Sequence, residues 1–287
     1  MDFAFASIQG PAHKKSIPEV PKQDNCNCFV IDNSYHIGIV SDGAGSSKFS
    51  HFASEICVES LSNIIKRDIG LLSKLEMEEN LQFQWSNLSK LWFTEVREGL
   101  LKYCKEQNGD VADYNCTLIL VIKTQTNFFA CNVGDGRAGG SINGKGFPII
   151  VPFMTFTVGA TYFIIKDDWS MFFRSYVINS DSCDYFFVST DGPQSYIIDQ
   201  QSSFTGQKVY DDILPGEIYY DSNLPFNPFF EGLISSLKQV NSTSERNSRI
   251  TDLLELGKYQ KDGKEQILST LLKPELDDDK SLIIFFN

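Results

Sequence analysis

Four aspartates stand where an apolar run meets a turn, and together they are the part of this sequence most able to do chemistry. Asp42 closes the run YHIGIVS and is followed by Gly43, Ala44 and Gly45; Asp135 follows FFACNVG; Asp191 follows DYFFVST; Asp278 stands just before KSLIIFF. Uncharged apolar runs of this length read as buried strands and the glycines beside them as turns, which places each aspartate at a strand tip. Carboxylates gathered on one sheet edge cannot all stay ionised unless a cation joins them. Mg²⁺ and Mn²⁺ take hard oxygen ligands from separate chain segments, and Asp42, Asp191 and Asp278 are the best three candidates. Two such ions sharing a carboxylate can activate a water for in-line attack on phosphorus without a Ser, Cys or His nucleophile. The sequence fits that economy, since its only histidines are His13, His36 and His51 and it contains no G-x-S-x-G, Walker loop or H-E-x-x-H pattern. One more Asp-Gly pair, Asp262-Gly263, ends no apolar run and reads as a turn. Arg137 reads as a surface charge. His13, Lys14 and Lys15 form the basic group nearest in sequence to this chemistry.

The elements that must hold these tips follow from periodicity. Phe3 to Ile8 reads as an opening strand ended by Gly10-Pro11, and Cys28 to Ile31 as a second strand turning at Asp32-Asn33 into the Asp42 strand. After Gly45 the spacing of Ala53, Cys57, Ser60 or Leu61, and Ile64 predicts a helix, and Trp85, Leu88, Trp92, Val96, Leu100 and Tyr103 predict a longer one. The acidic stretch Glu76 to Glu79 connects the two, and both should cover one face of a sheet. CTLILVI and FFACNV form a hairpin, which favours antiparallel pairing. Several short runs between Phe147 and Ile178 read as strands and a loop, and Gln200 to Asn223 as an exposed insertion. Phe229 to Leu237 predicts a helix opened by Pro228, Asn241 to Arg249 a polar loop, Ile267 to Leu272 a short helix, and Ser281 to Phe286 the last strand.

Composition narrows the function classes. The 287 residues are 42% apolar with 23 phenylalanines, enough for a layered core, and no linker splits them, so residues 1–287 read as one domain. The formal charge of -12 argues against nucleic acid or an anionic membrane as partner, although bound divalent cations would reverse the potential locally for a phosphate. No apolar run reaches membrane-spanning length. The seven cysteines are odd in number and scattered; Cys116, Cys131 and Cys183 fall in or beside apolar runs and read as reduced thiols of a cytoplasmic protein.

In order and spacing these motifs resemble the metal-dependent type 2C serine/threonine protein phosphatases over nearly the whole chain. The matching residues are Gln23-Asp24, Ser41-Asp42-Gly43-Ala44-Gly45, Asn132-Val133-Gly134-Asp135-Gly136-Arg137, Ser189-Thr190-Asp191-Gly192 and Asp278-Asp279-Lys280-Ser281. The histidine ahead of Gln23-Asp24, the Asp-Gly-Ala-Gly turn and the segment Asn227 to Phe230 look like the atypical bacterial branch. The resemblance implies an α+β fold, a central antiparallel β-sandwich flanked by α-helices. It further implies two Mn²⁺ or Mg²⁺ ions, with Asp42 bridging them, the Gly43 carbonyl on one, Asp191 and Asp278 on the other, and Asp24 supporting the cluster directly or through water. The implied substrate is a phosphoserine or phosphothreonine protein, with a partner kinase as a candidate. Three departures stand out. Glu19, Val20, Pro21 and Lys22 occupy the place of the arginine that grips phosphate, leaving His13, Lys14, Lys15 or Lys22 for that task. Ala44 stands where some members carry a histidine. Ser195 replaces an acidic residue, which weakens a third ion site on Asp135. The rival reading is a catalytically weak module that only binds a phosphorylated partner.

Overall fold

The computed structural model describes residues 1–152, 161–198, 224–256 and 278–287, together with the backbone of four short strands between them. In chain order the elements are β1 (Asp2–Ile8), α1 (Pro11–Lys15), β2 (Asn25–Ile31), β3 (Tyr35–Ser41), α2 (Ser50–Leu75), α3 (Leu81–Glu106), a 3₁₀ turn (Val111–Tyr114), β4 (Leu118–Lys123), β5 (Asn127–Val133), β6 (Arg137–Ile142) and β7 (Lys145–Ile150). There follow α4 (Trp169–Phe172), β8 (Arg174–Asn179), β9 (Tyr185–Ser189), α5 (Gln194–Ile197), β10 (Lys208–Val209), β11 (Tyr219–Tyr220), α6 (Asn227–Leu237), α7 (Thr243–Leu256), β12 (Lys258–Lys261), β13 (Lys264–Ile267) and β14 (Lys280–Phe286).

Alternation along the strands builds the layers. In β4, Leu118, Leu120 and Ile122 pack into a core shared with α2 and α3, while Ile119 and Val121 face the opposite way into a second core. In β14, Ile283 and Phe285 enter that same second core, and Leu282, Ile284 and Phe286 enter a third, shared with α6 and α7. A strand whose two faces are both covered reads as a continuous apolar run, which is why period-two polarity is missing from these segments. The two main sheets have the orders β1-β14-β9-β6-β7 and β2-β3-β4-β5-β8, with every pairing antiparallel. They stack face to face with helices outside both, which is the α+β sandwich expected. Trp85 fixes α3 to its sheet: the ring is fully buried and its indole N–H donates to the Ala130 carbonyl at 2.9 Å.

Two sequence expectations are corrected. Asn241 to Arg249 is not a loop, because α7 begins at Thr243 and buries Ile250, Leu253 and Leu254 at helical spacing. Its start carries the Ser-x-x-Glu sequence of a capping box: the Ser242 hydroxyl accepts from the Glu245 amide at 3.2 Å, capping the helix, and donates to the Glu245 carboxylate at 2.9 Å. Ile267 does not open a helix but ends β13, paired with Lys258. Residues 268–272 of that expectation, most of the exposed insertion and Asp262-Gly263 lie outside the described residues.

The ladders themselves gather the strand tips. Asn25 pairs with Ser41, so one step further Asp24 and Asp42 leave their strands side by side. Arg137 pairs with Ser189 and Leu282 with Ser189, so the chain before β6 and the chain before β14 both run past Asp191 as it leaves β9. Sheet stacking then brings the two edges together.

Candidate metal centre

Carboxylate oxygens of Asp42, Asp135 and Asp191 lie within 4.8 Å of one another, close enough to share one cation. Each is held by its own turn. Asp42 donates its backbone N–H to Thr117 Oγ1 at 2.9 Å, and its carbonyl accepts from the Thr117 N–H at 2.8 Å, which pins it against the start of β4. Gly43 must be glycine, because a Cβ there would stand 2.7 Å from the Gln23 carbonyl oxygen and 2.8 Å from that of Ser50. Asp135 follows Gly134, whose φ of +117° lies in the left-handed region where a side chain is strained. Asp191 precedes Gly192, where a Cβ would fall 2.0 Å from the Asp279 carbonyl oxygen.

Asp24 and Asp278 flank the trio. Asp24 is buried, and its carboxylate accepts from Thr190 Oγ1 at 2.6 Å while Thr190 in turn accepts from the Ser281 amide at 3.0 Å. Asp278 is exposed, and its carboxylate accepts from the Asp279 amide at 2.8 Å. The tight group therefore contains Asp135 where the sequence pattern singles out Asp278, which stands at the solvent side and acts on the others through its charge.

The electrostatics of the cluster disfavour its fully ionised form. Burial, partly offset by the Thr190 bond and reinforced by Asp279, Asp191 and Asp278, pushes the Asp24 carboxyl up to about 8. Burial, then Asp135 and Asp278, push Asp191 up to about 7, and burial followed by Asp24 and Asp191 raises Asp42 well above the carboxylate range. Burial also raises Asp135, whose Oδ1 has no hydrogen-bond partner among the described residues. Converging oxygens, an orphaned buried acceptor and carboxyls forced toward the neutral form have the chemistry of a set of hard oxygen ligands.

The basic candidates are placed differently from one another. His13 Nδ1 meets the Asp279 carboxylate at 2.9 Å. Lys14 pairs with Glu255 at the end of α7 at 3.1 Å, and Lys15 is exposed; no described polar contact ties either to the carboxylates. Lys22 donates to Ser7 Oγ at 2.9 Å. Arg137, expected on the surface, is only 4% exposed, because it opens β6 in the middle of a sheet, and its charge lowers Asp135. The sequence pattern includes Asp279 in its last motif but gives it no role, whereas the residue is 2% exposed and its carboxylate meets the Gly10 amide, the Gln23 amide and His13 Nδ1. The second carboxylate in Asp278-Asp279 was the available signal: a charged residue one step before a fully buried strand must itself be paired.

The chain belongs to the protein phosphatase 2C family, whose sequence model it matches over residues 9–255. The serine/threonine phosphatase stp of Listeria monocytogenes serotype 4b is 31% identical over 115 residues, which are 40% of this chain and 42% of that protein. The match thus spans less than half the length of the curated relatives. Among solved structures, the serine/threonine phosphatase Stp1 from Staphylococcus aureus aligns with a TM-score of 0.56 at 15% identity, covering 100% of this chain and 95% of that one. The catalytic domain of the serine/threonine protein phosphatase PstP, in complex with two manganese ions, aligns with a TM-score of 0.51 at 13% identity, covering 99% and 96%. At these identities the structural likeness establishes the fold.

Proposed function

We propose that the protein hydrolyses phosphoserine and phosphothreonine monoesters in proteins, using two Mn²⁺ or Mg²⁺ ions held by the strand-tip carboxylates. The observation that carries this reading is the convergence of Asp42, Asp135 and Asp191 within 4.8 Å, with Asp24 and Asp278 beside them. Asp42, the Gly43 carbonyl, Asp191 and Asp278 are the proposed ligands, Asp24 supports them through Thr190, and Asp135 is available to a third ion. When bound, the ions supply Lewis acidity and an activated water. The chain's own part is positional: the turns at Gly43, Gly134 and Gly192 fix carboxylates that would otherwise spring apart.

Neither Lys14 nor Lys15 reaches the carboxylates, so the grip on the phosphoryl group falls mainly to the ions. A module that merely recognised phosphate would have no use for so many mutually repelling carboxylates, which favours the enzyme over the binding module. A cytoplasmic setting fits the seven free cysteines, six of them buried. A serine/threonine kinase whose own phosphorylated form is the substrate suits the relatives' description as serine/threonine phosphatases. The test is hydrolysis of a phosphothreonine peptide by protein stripped with chelator and then given MnCl₂. Activity should vanish on chelation and return with the metal. An equal rate in the chelated sample, or no hydrolysis with Mn²⁺ present, would overturn the proposal.

A further inference from the structure

Asp279 touches the neighbour of every outlying ligand candidate. Its Oδ1 accepts from the Gly10 amide at 2.6 Å and lies 2.9 Å from His13 Nδ1, and its Oδ2 accepts from the Gln23 amide at 2.5 Å. Gln23 immediately precedes Asp24. On the other side, the Asp279 amide donates to the Asp278 carboxylate at 2.8 Å, and the Asp279 carbonyl packs so closely on Gly192 that no Cβ fits there, one residue past Asp191. One buried residue therefore meets the backbone beside Asp24, the carboxylate of Asp278 and the turn of Asp191. Gln23 extends the contact to the start of α2: its side chain donates to Ser50 Oγ at 2.7 Å, and its carbonyl accepts from Ser54 Oγ at 2.5 Å.

We propose that Asp279 and His13 are positioning residues for the metal centre, a clamp that sets the spacing of Asp24, Asp191 and Asp278 and thereby the affinity for the ions, with His13 serving the clamp and not gripping the phosphoryl group. Three donors face the two oxygens of Asp279, the complement of a carboxylate; an amide in its place would turn an NH₂ toward one of the N–H groups. His13 closes the arrangement from α1, holding the segment that leads into Gln23-Asp24 against the start of β14. Supporting partners of this kind change metal affinity by roughly 10–100-fold when removed.

The inference rests on the carboxylates being the ion site, and its test separates the two. Mn²⁺ binding is titrated calorimetrically in wild type, His13→Ala, His13→Asn and Asp279→Asn, with melting temperature in chelator and kcat at saturating MnCl₂ measured alongside. His13→Ala and Asp279→Asn should bind Mn²⁺ roughly 10–100-fold more weakly, with kcat largely restored once the ions saturate. His13→Asn keeps a donor where Nδ1 stood and should stay within a few-fold of wild type, by about a factor of three or less. Wild-type affinity in both disrupted variants would overturn the clamp while leaving the two-ion reading intact, and so would a lowered melting temperature with unchanged affinity, since that is a purely structural role. A wild-type protein that binds no Mn²⁺ would remove the ion site and the clamp together. Should Asp279→Asn not fold, His13→Ala, which deletes only one of three donors, decides.

Discussion

Asp24 and Asp191 bear the cost of assembling the centre, and that cost has a pH signature. Burial raises Asp24 from its ordinary 3.8 to about 8 and Asp191 to about 7. In metal-free protein the folded state therefore holds protons that the unfolded chain releases once the pH passes about 3.8. Folding stability falls wherever the native state binds more protons than the unfolded one, so these groups lower it progressively from about pH 4 up to about pH 8. The melting temperature of chelated protein should decline across that window, and Asp24→Asn, which cannot ionise, should flatten part of the slope. A chelated melting temperature that rises from pH 5 to pH 8, or the same slope in Asp24→Asn, would contradict the assignment. At this scale the sequence showed which aspartates sit at strand tips, because an apolar run ending on Asp-Gly is visible by eye. It did not show which three stand closest, since the choice of Asp135 over Asp278 depends on how β6 and β14 flank β9 and on Asp278 remaining at the solvent side.

The helices and strands were legible in proportion to their periodicity. α3 repeats its apolar residues at three and four over most of its length, and the predicted stripe from Trp85 to Tyr103 lies inside the observed Leu81–Glu106. α7 escaped notice because its first turns are polar, with its buried residues confined to Ile250, Leu253 and Leu254 near the end. What it offered was the Ser242-to-Glu245 capping box, a signal of chain chemistry and not of hydrophobic pattern. That box makes a prediction for the element. Ser242→Ala leaves the Glu245 amide of α7 without its hydroxyl partner and should lower unfolding free energy by about 0.5–2 kcal/mol in denaturant titration, with ion affinity unchanged. α7 covers the sheet that carries β14 and β1, so an effect on Mn²⁺ affinity equal to that of the clamp variants would instead mean that the helix acts on the metal centre.

Across the whole molecule, the sandwich turns strand tips that are far apart in sequence into neighbours. Asp24 and Asp42 come from the hairpin of one sheet, Asp191 and Asp278 from adjacent strands of the other, and Asp135 from the turn crossing between them. The antiparallel pairing was readable from the hairpins and one helical layer from the stripes of α2 and α3, whereas the two-sheet sandwich was expected from the family resemblance. The stacking that brings the two sheet edges into contact was not readable, because a face-to-face packing leaves no spacing rule in the chain. The overall charge of -12 belongs to the same picture: much of the negative charge is distributed over the surface, while the clustered carboxylates are relieved either by holding protons or by binding a cation. Ion stoichiometry is the measurement that tests this most directly. In a Mn²⁺ titration followed by electron paramagnetic resonance of the free ion, wild-type protein should take up two ions per chain, and Asp42→Asn, lacking the proposed shared carboxylate, should retain at most one at the same free concentration. A wild-type protein that leaves all the Mn²⁺ free, or an Asp42→Asn variant that still binds two ions with wild-type affinity, would contradict the account.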